Sequence, residues 1–200
     1  MRSLFVVLVC FLLVAAVFAG GYNEVVKLGD FAPSWKDLPG VDGENHSLAD
    51  LKTKDVVVLV FTCNSCPAAE EYEDRIIALT KKYAAGQGRA AVVAINVNTI
   101  PEDRLPEMKK RAKDKEFPFT YLYDETQKIA KAYGATYTPE FFVLDKQRKI
   151  IYMGAMDDRD QPANVKKRFV EDAIEAALKG ERAATGETLA RGCRIRWNRK

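Results

Sequence analysis

An α/β domain, with crossover helices covering a central sheet, is the architecture this sequence predicts, on three observations. The run Val56-Val57-Val58-Leu59-Val60-Phe61 is continuously apolar, and residues 90–97 are apolar but for Asn96, as strands buried on both faces of a sheet are. Helix-forming stretches with charged faces alternate with these runs. The order strand, helix, strand, helix, hairpin, helix is that of a layered arrangement in which helices return the chain across a sheet.

The elements follow in order. Met1-Arg2-Ser3 gives a positive start, residues 4–18 are almost wholly apolar, and Ala19-Gly20-Gly21 supplies small residues at a cleavage point. This pattern predicts a secretory signal peptide over residues 1–19, removed after Ala19 together with Cys10. It implies a secreted or periplasmic protein, with membrane attachment only if the segment stays uncleaved. Ala32-Pro33-Ser34-Trp35 through Asp42-Gly43-Glu44 reads as an extended lead-in and turn, and residues 47–52 as one helical turn. After the strand at 56–61, residues 67–85 form a helix with Tyr72, Ile76, Leu79 and Tyr83 on one face, ended by Gly86 and Gly88. The strand at 90–97 is followed by a charged helix over 101–115, which Pro106 kinks or restarts. A short extended piece at 119–123 precedes a helix over 125–133, stopped by Gly134. Residues 141–144 and 149–153 read as a hairpin, and 164–179 as the last helix. The domain therefore spans 30–180, followed by a basic, cysteine-containing tail over 181–200.

Two hundred residues, 48% of them hydrophobic, suffice for one domain with a buried core but not for two of full size. The net charge of +3 is a mild excess without a basic stripe interleaved with aromatics, so a nucleic-acid partner is not expected. No glycine-rich phosphate loop, metal cluster or flavin motif is visible; no cofactor and no metal are expected, and electrons must come from a redox partner.

The chemistry concentrates in Cys63-Asn64-Ser65-Cys66, between the first buried strand and the helix that opens at Pro67. Two thiols separated by two residues close a small disulfide, and unpaired N–H groups at a helix N-terminus stabilise a thiolate. Pro67 lacks the N–H that a first helical turn leaves unused. The bland alternatives are half of a zinc site or a static disulfide. Zinc needs four ligands, whereas the chain offers only Cys193, Cys10 and His46 besides the pair. A static bridge persists in an exported protein, but a strand-to-helix junction is an unusual place for one. Once the signal peptide is gone, Cys63, Cys66 and Cys193 make an odd count, and Cys193 is flanked by Arg191, Arg194 and Arg196, which favour a thiolate. Cys193 is therefore a candidate third redox cysteine, with a reduced or interchain-paired tail cysteine as the plain alternative.

With the motif at the first strand-helix junction, residues 30–180 resemble the thioredoxin fold, a central mixed sheet flanked by helices, here with an N-terminal extension and a central insertion. Thr138-Pro139, directly before Glu140-Phe141-Phe142-Val143-Leu144-Asp145, matches the cis-proline that faces the two cysteines in that family. The Ala32-Pro33 opening, the Asp42-Gly43 turn and Tyr123-Asp124-Glu125 with Ala132-Tyr133-Gly134 are similar to the exported redoxin (AhpC/TSA-like) subgroup, and Gly192-Cys193-Arg194-Ile195-Arg196-Trp197 resembles the ending of bacterial redoxin-domain proteins with a Thr-Cys-Asn-x-Cys-Pro motif. The resemblance implies a thiol-disulfide oxidoreductase acting on protein disulfides or dithiols. Cys63 attacks, Cys66 resolves to leave a Cys63–Cys66 disulfide, and Thr138 and Pro139 hold an extended substrate segment. The direction, reductase or oxidase, depends on the partner.

The chain departs from that pattern at three places. Thr62 stands where thioredoxins commonly carry a tryptophan, Val57 falls near their buried carboxylate, and Glu102 and Asp103 read as first-turn acids favouring a helix N-terminus rather than as its replacement. A peroxiredoxin-like thiol peroxidase is the alternative enzyme, although Leu59-Val60-Phe61-Thr62 lacks the proline of the Pro-x-x-x-Thr-x-x-Cys loop. A non-catalytic binding module with an inert disulfide is the other. His46 reads as a solvated loop residue, Phe117, Phe119, Tyr121 and Tyr123 as core packing, and Lys109-Lys110-Arg111 as a solvated helix face.

Overall fold

A computed structural model describes residues 21–84 and 88–198. The signal-peptide reading of residues 1–19, Cys10 and the expected helix stop at Gly86 lie outside the described residues. The strands are β1 (Leu38–Pro39), β2 (Asn45–His46), β3 (Val56–Thr62), β4 (Ala90–Asn96), β5 (Thr120–Tyr123), β6 (Tyr137–Thr138), β7 (Glu140–Leu144), β8 (Ile150–Gly154) and β9 (Cys193–Arg194). The helices are α1 (Pro67–Tyr83), α2 (Leu105–Asp114), α3 (Lys128–Tyr133) and α4 (Phe169–Lys179).

The central sheet has the order β5-β4-β3-β7-β8, with β3, β4 and β5 parallel and β7 and β8 antiparallel to their neighbours. This is the mixed sheet of the thioredoxin fold. Every residue of β3 and β4 is buried because apolar clusters cover both sheet faces. Val58 and Val60 face the cluster that contains Tyr72 and Ile76 of α1, while Val57, Leu59 and Phe61 face the one with Tyr133 and Phe142. Each fully buried valine, leucine or phenylalanine contributes about 1.5–3 kcal/mol against exposure, so the strand that leads into the cysteine motif is firmly held.

Helix starts differ from expectation where turn chemistry intervenes. The expected helix over 101–115 splits into a 3-10 turn at Pro101–Asp103 and α2, because Arg104 is extended and Pro106 restarts the helix in its first turn. The last helix begins at Phe169 rather than at 164, after a separate 3-10 turn at Pro162–Asn164. The helix expected from 125 begins at Lys128 because the Asp124 carboxylate caps it, accepting the Ile129 and Ala130 N–H groups at 2.8 and 3.2 Å. Residues 181–198 are not a loose appendage. They run back across the domain, and β9 pairs antiparallel with β6 in the register Tyr137↔Arg194 and Thr138↔Cys193.

Candidate active site

The motif sits where β3 ends and α1 begins, with Cys66 as the N-cap of α1 and Pro67 at its first position. Cys66 Sγ accepts the Ala69 N–H at 3.4 Å, so the second cysteine, not the first, takes the cap. Both motif sulfurs meet Thr138 across the sheet. Cys63 Sγ lies 3.4 Å from the Thr138 hydroxyl, and Cys66 Sγ 3.1 Å from the Thr138 carbonyl oxygen. The Thr138–Pro139 peptide bond is cis.

The disulfide differs from the expected Cys63–Cys66 bridge: Cys66 is bonded to Cys193, with their Cα atoms 6.1 Å apart, and Cys63 is a free thiol. The strand pairing explains this choice, since β9 lies beside Thr138 and carries Cys193 to the sulfur that faces the same carbonyl. Both motif cysteines are buried, Cys63 at 3% and Cys66 at 2% exposure. Burial pushes the Cys63 thiol above its usual range; the Thr138 hydroxyl draws it back, the Asp103 charge raises it further, and the Ser65 hydroxyl lowers it. The thiolate expected from a helix N-terminus is therefore not the form that this closed arrangement favours.

Asp103 is more than a first-turn acid. Its fully buried carboxylate accepts the N–H groups of Asn64 and Ser65 at 2.6 and 2.9 Å and the Ser65 hydroxyl at 2.6 Å. It thereby fixes the two residues between the cysteines. Tyr121, read from the sequence as core packing, donates to Asn64 Oδ1 at 2.8 Å, and burial keeps its phenol protonated far above the ordinary range. Asn64 Nδ2 donates to the Glu102 carbonyl at 2.9 Å, so its side chain is held from both ends.

The tail is anchored beyond its disulfide. Ile195 is buried and its N–H donates to the Thr136 carbonyl at 3.0 Å. The buried Gln127 amide donates to the carbonyls of Val97 and Arg196 at 2.7 and 2.8 Å and accepts the Asn198 N–H at 2.8 Å. Two of the arginines expected to stabilise a Cys193 thiolate engage other groups: Arg191 reaches Asp160 at 3.7 Å and Arg194 lies over the Tyr137 ring at 5.6 Å, while the backbone N–H of Arg196 donates to Asn98 Oδ1 at 3.0 Å. His46, read from the sequence as a solvated loop residue, is half-buried in β2 and pairs with Asp42 at 2.9 Å.

The family model described as AhpC/TSA family matches residues 28–153, well over half of the chain. The chain belongs to the AhpC/TSA family. Two solved structures are similar to this AhpC/TSA chain over most of its length. One, a hypothetical protein from Sinorhizobium meliloti 1021, is 35% identical with a TM-score of 0.79, over 88% of this chain and 97% of that one. The other, an uncharacterized conserved protein from Geobacillus kaustophilus, is 34% identical with a TM-score of 0.81, over 89% and 96%. Among curated proteins, the thiol-disulfide oxidoreductase ResA of Geobacillus thermodenitrificans is 26% identical over 166 residues, 80% of this chain and 90% of its own. The AhpC/TSA match includes Cys63, Cys66, Thr138 and Pro139 and ends before α4 and the Cys193 tail.

Proposed function

We propose that this AhpC/TSA chain is an exported thiol-disulfide oxidoreductase that exchanges disulfides with protein substrates through Cys63, Cys66 and Cys193. The observation that carries the reading is the convergence of all three cysteines on Thr138: Cys63 at its hydroxyl, Cys66 at its carbonyl and Cys193 opposite it in the β6–β9 pairing. In the reduced chain, the Cys63 thiolate attacks a substrate disulfide; one substrate sulfur stays on Cys63, and the other leaves as a thiolate that takes up a proton. Cys66 then attacks Cys63 Sγ, releasing the second substrate thiol and leaving Cys63–Cys66. Finally Cys193 attacks Cys66 Sγ, forming Cys66–Cys193 and returning Cys63 as a thiol. Each step forms one S–S bond and breaks one, and two electrons in all pass from the chain to the substrate. A partner dithiol closes the cycle by reducing Cys66–Cys193, and the reverse order donates a disulfide. Thr138 and Pro139 hold the substrate segment by strand pairing. The charged start and apolar run of residues 1–18 support export.

The test is dithiothreitol-driven reduction of insulin disulfides, run beside consumption of hydrogen peroxide. Insulin reduction that disappears in Cys63→Ser and Cys66→Ser is the expected result. Faster peroxide consumption than insulin reduction overturns the reading in favour of a thiol peroxidase, and neither activity leaves a binding module.

A further inference from the structure

Along the Tyr137–Thr138 edge, the chain's own tail lies where an extended polypeptide pairs by strand addition, and the fit is selective at three of four positions from 192 to 195. Residue 192 passes so close to the Thr138 carbonyl that a Cβ on it would overlap that oxygen and crowd the Pro139 nitrogen, so glycine is required there. Residue 193 sits opposite Thr138 and delivers its sulfur to Cys66. Residue 195 gives its N–H to the Thr136 carbonyl, while its apolar side chain is buried in the cluster that holds Tyr133 and Ala135. Residue 194, between them, is exposed and stacks its guanidinium on the Tyr137 ring, a contact that many side chains can forgo.

We infer that the Tyr137–Thr138 edge is a recognition site for a partner protein's extended Gly-Cys-x-apolar strand, and that residues 192–195 are its resident occupant. The inference rests on the three-cysteine exchange proposed above and adds to it the class of strand that the edge accepts. The tail leaves when its disulfide migrates. Cys63, having lost its proton to solvent, attacks Cys66 Sγ; Cys63–Cys66 forms, the Cys66–Cys193 bond breaks, and Cys193 departs as a thiolate that takes up a proton. No external oxidant or reductant is consumed. A partner strand then docks in the tail's place, and its cysteine attacks Cys66 Sγ, forming a mixed disulfide and restoring the Cys63 thiol.

The test uses the full chain carrying Gly192→Ala and Cys193→Ser, oxidised to Cys63–Cys66, so that the resident tail is displaced and its thiol is absent. Three synthetic peptides are offered to this one protein: the sequence of residues 190–198, and that sequence with the change equivalent to Gly192→Ala or to Ile195→Asp. Mixed disulfides are followed by acid-quenched mass spectrometry, with insulin reduction by the wild-type protein measured in parallel. The unaltered peptide is expected to bond Cys66 about tenfold or more faster than either altered one, since forcing a Cβ against fixed backbone or burying a carboxylate costs at least that factor. Equal rates for the three peptides, or bonding at Cys63 instead of Cys66, overturn the inference. No mixed disulfide with any peptide, where the wild-type protein reduces insulin, also overturns it; a wild-type protein that reduces no insulin overturns the proposed exchange itself.

Discussion

Asp103 Oδ1 accepts the backbone N–H of Asn64 at 2.6 Å from a carboxylate with no exposed surface. Two further hydrogen bonds to Ser65 make this side chain the scaffold of the cysteine loop. Asp103→Ala is expected to destabilise the fold by about 2–4 kcal/mol, since each hydrogen bond to a charged group contributes about 1.5–3 kcal/mol and the three are not additive. Asp103→Asn keeps an acceptor, costs about half as much, and removes a charge that raises the Cys63 thiol. Urea denaturation reads the first effect. Faster alkylation of Cys63 in Asp103→Asn at fixed pH reads the second.

In the bridged protein, alkylation of Cys63 by iodoacetamide is expected to be slow at pH 7 and to climb with pH beyond the ordinary thiol value of 9.0, because burial raises the Cys63 thiol. The linked effect on stability has a definite sign. A thiol raised on folding contributes stability that is complete below about pH 9 and is lost as pH rises through the folded value. A pH profile of alkylation, with denaturation measured at pH 7 and pH 10, checks both. A Cys63 that reacts at pH 7 as fast as a small free thiol contradicts the buried site.

Cys66 and Cys193 are 127 residues apart in sequence, so their disulfide closes most of the domain into one loop. Breaking it is expected to cost about 2–5 kcal/mol. Wild-type protein should therefore lose thermal stability on reduction, whereas Cys193→Ser, left with at most the short Cys63–Cys66 loop, should show almost none of that dependence. Calorimetry of both proteins, oxidised and reduced, gives the comparison. Equal redox dependence in the two would mean that the tail disulfide constrains nothing.

Trapping separates the roles of the two motif cysteines. Cys66→Ser in a Cys193→Ser background should accumulate mixed disulfides with partner proteins through Cys63, because nothing remains to resolve them. Cys63→Ser should accumulate few. Non-reducing gels of the two variants give the answer, and equal trapping by both would remove Cys63 as the attacking group.

The sheet was legible because β3 and β4 are apolar runs up to their last residues, Thr62 and Asn96, and burial on both faces is the arrangement such runs favour. The motif's place at the strand-helix junction was legible from order, and the position of Thr138-Pro139 beside it from the resemblance to the thioredoxin family. What joins residues distant in the chain left no periodic mark. Nothing around Cys193 signals that a two-residue strand will pair with Tyr137–Thr138, and the three nearby arginines suggested electrostatics where the structure uses pairing and packing. Asp103 looked like a helix-start acid because its partners lie 38 and 39 positions away. Gln127 carried no signal at all, since one buried amide gains its meaning only when Val97, Arg196 and Asn198 have already been brought around it.

The passage of one disulfide from Cys63–Cys66 to Cys66–Cys193 is tested most directly by its order in time. Fully reduced wild-type protein is mixed with a substrate disulfide, quenched in acid at intervals and mapped by mass spectrometry of unreduced peptides. Cys63–Cys66 should form first and decay as Cys66–Cys193 grows, while Cys63→Ser forms Cys66–Cys193 far more slowly. Appearance of Cys66–Cys193 in Cys63→Ser at the wild-type rate, with no earlier Cys63–Cys66 in the wild type, would contradict the account.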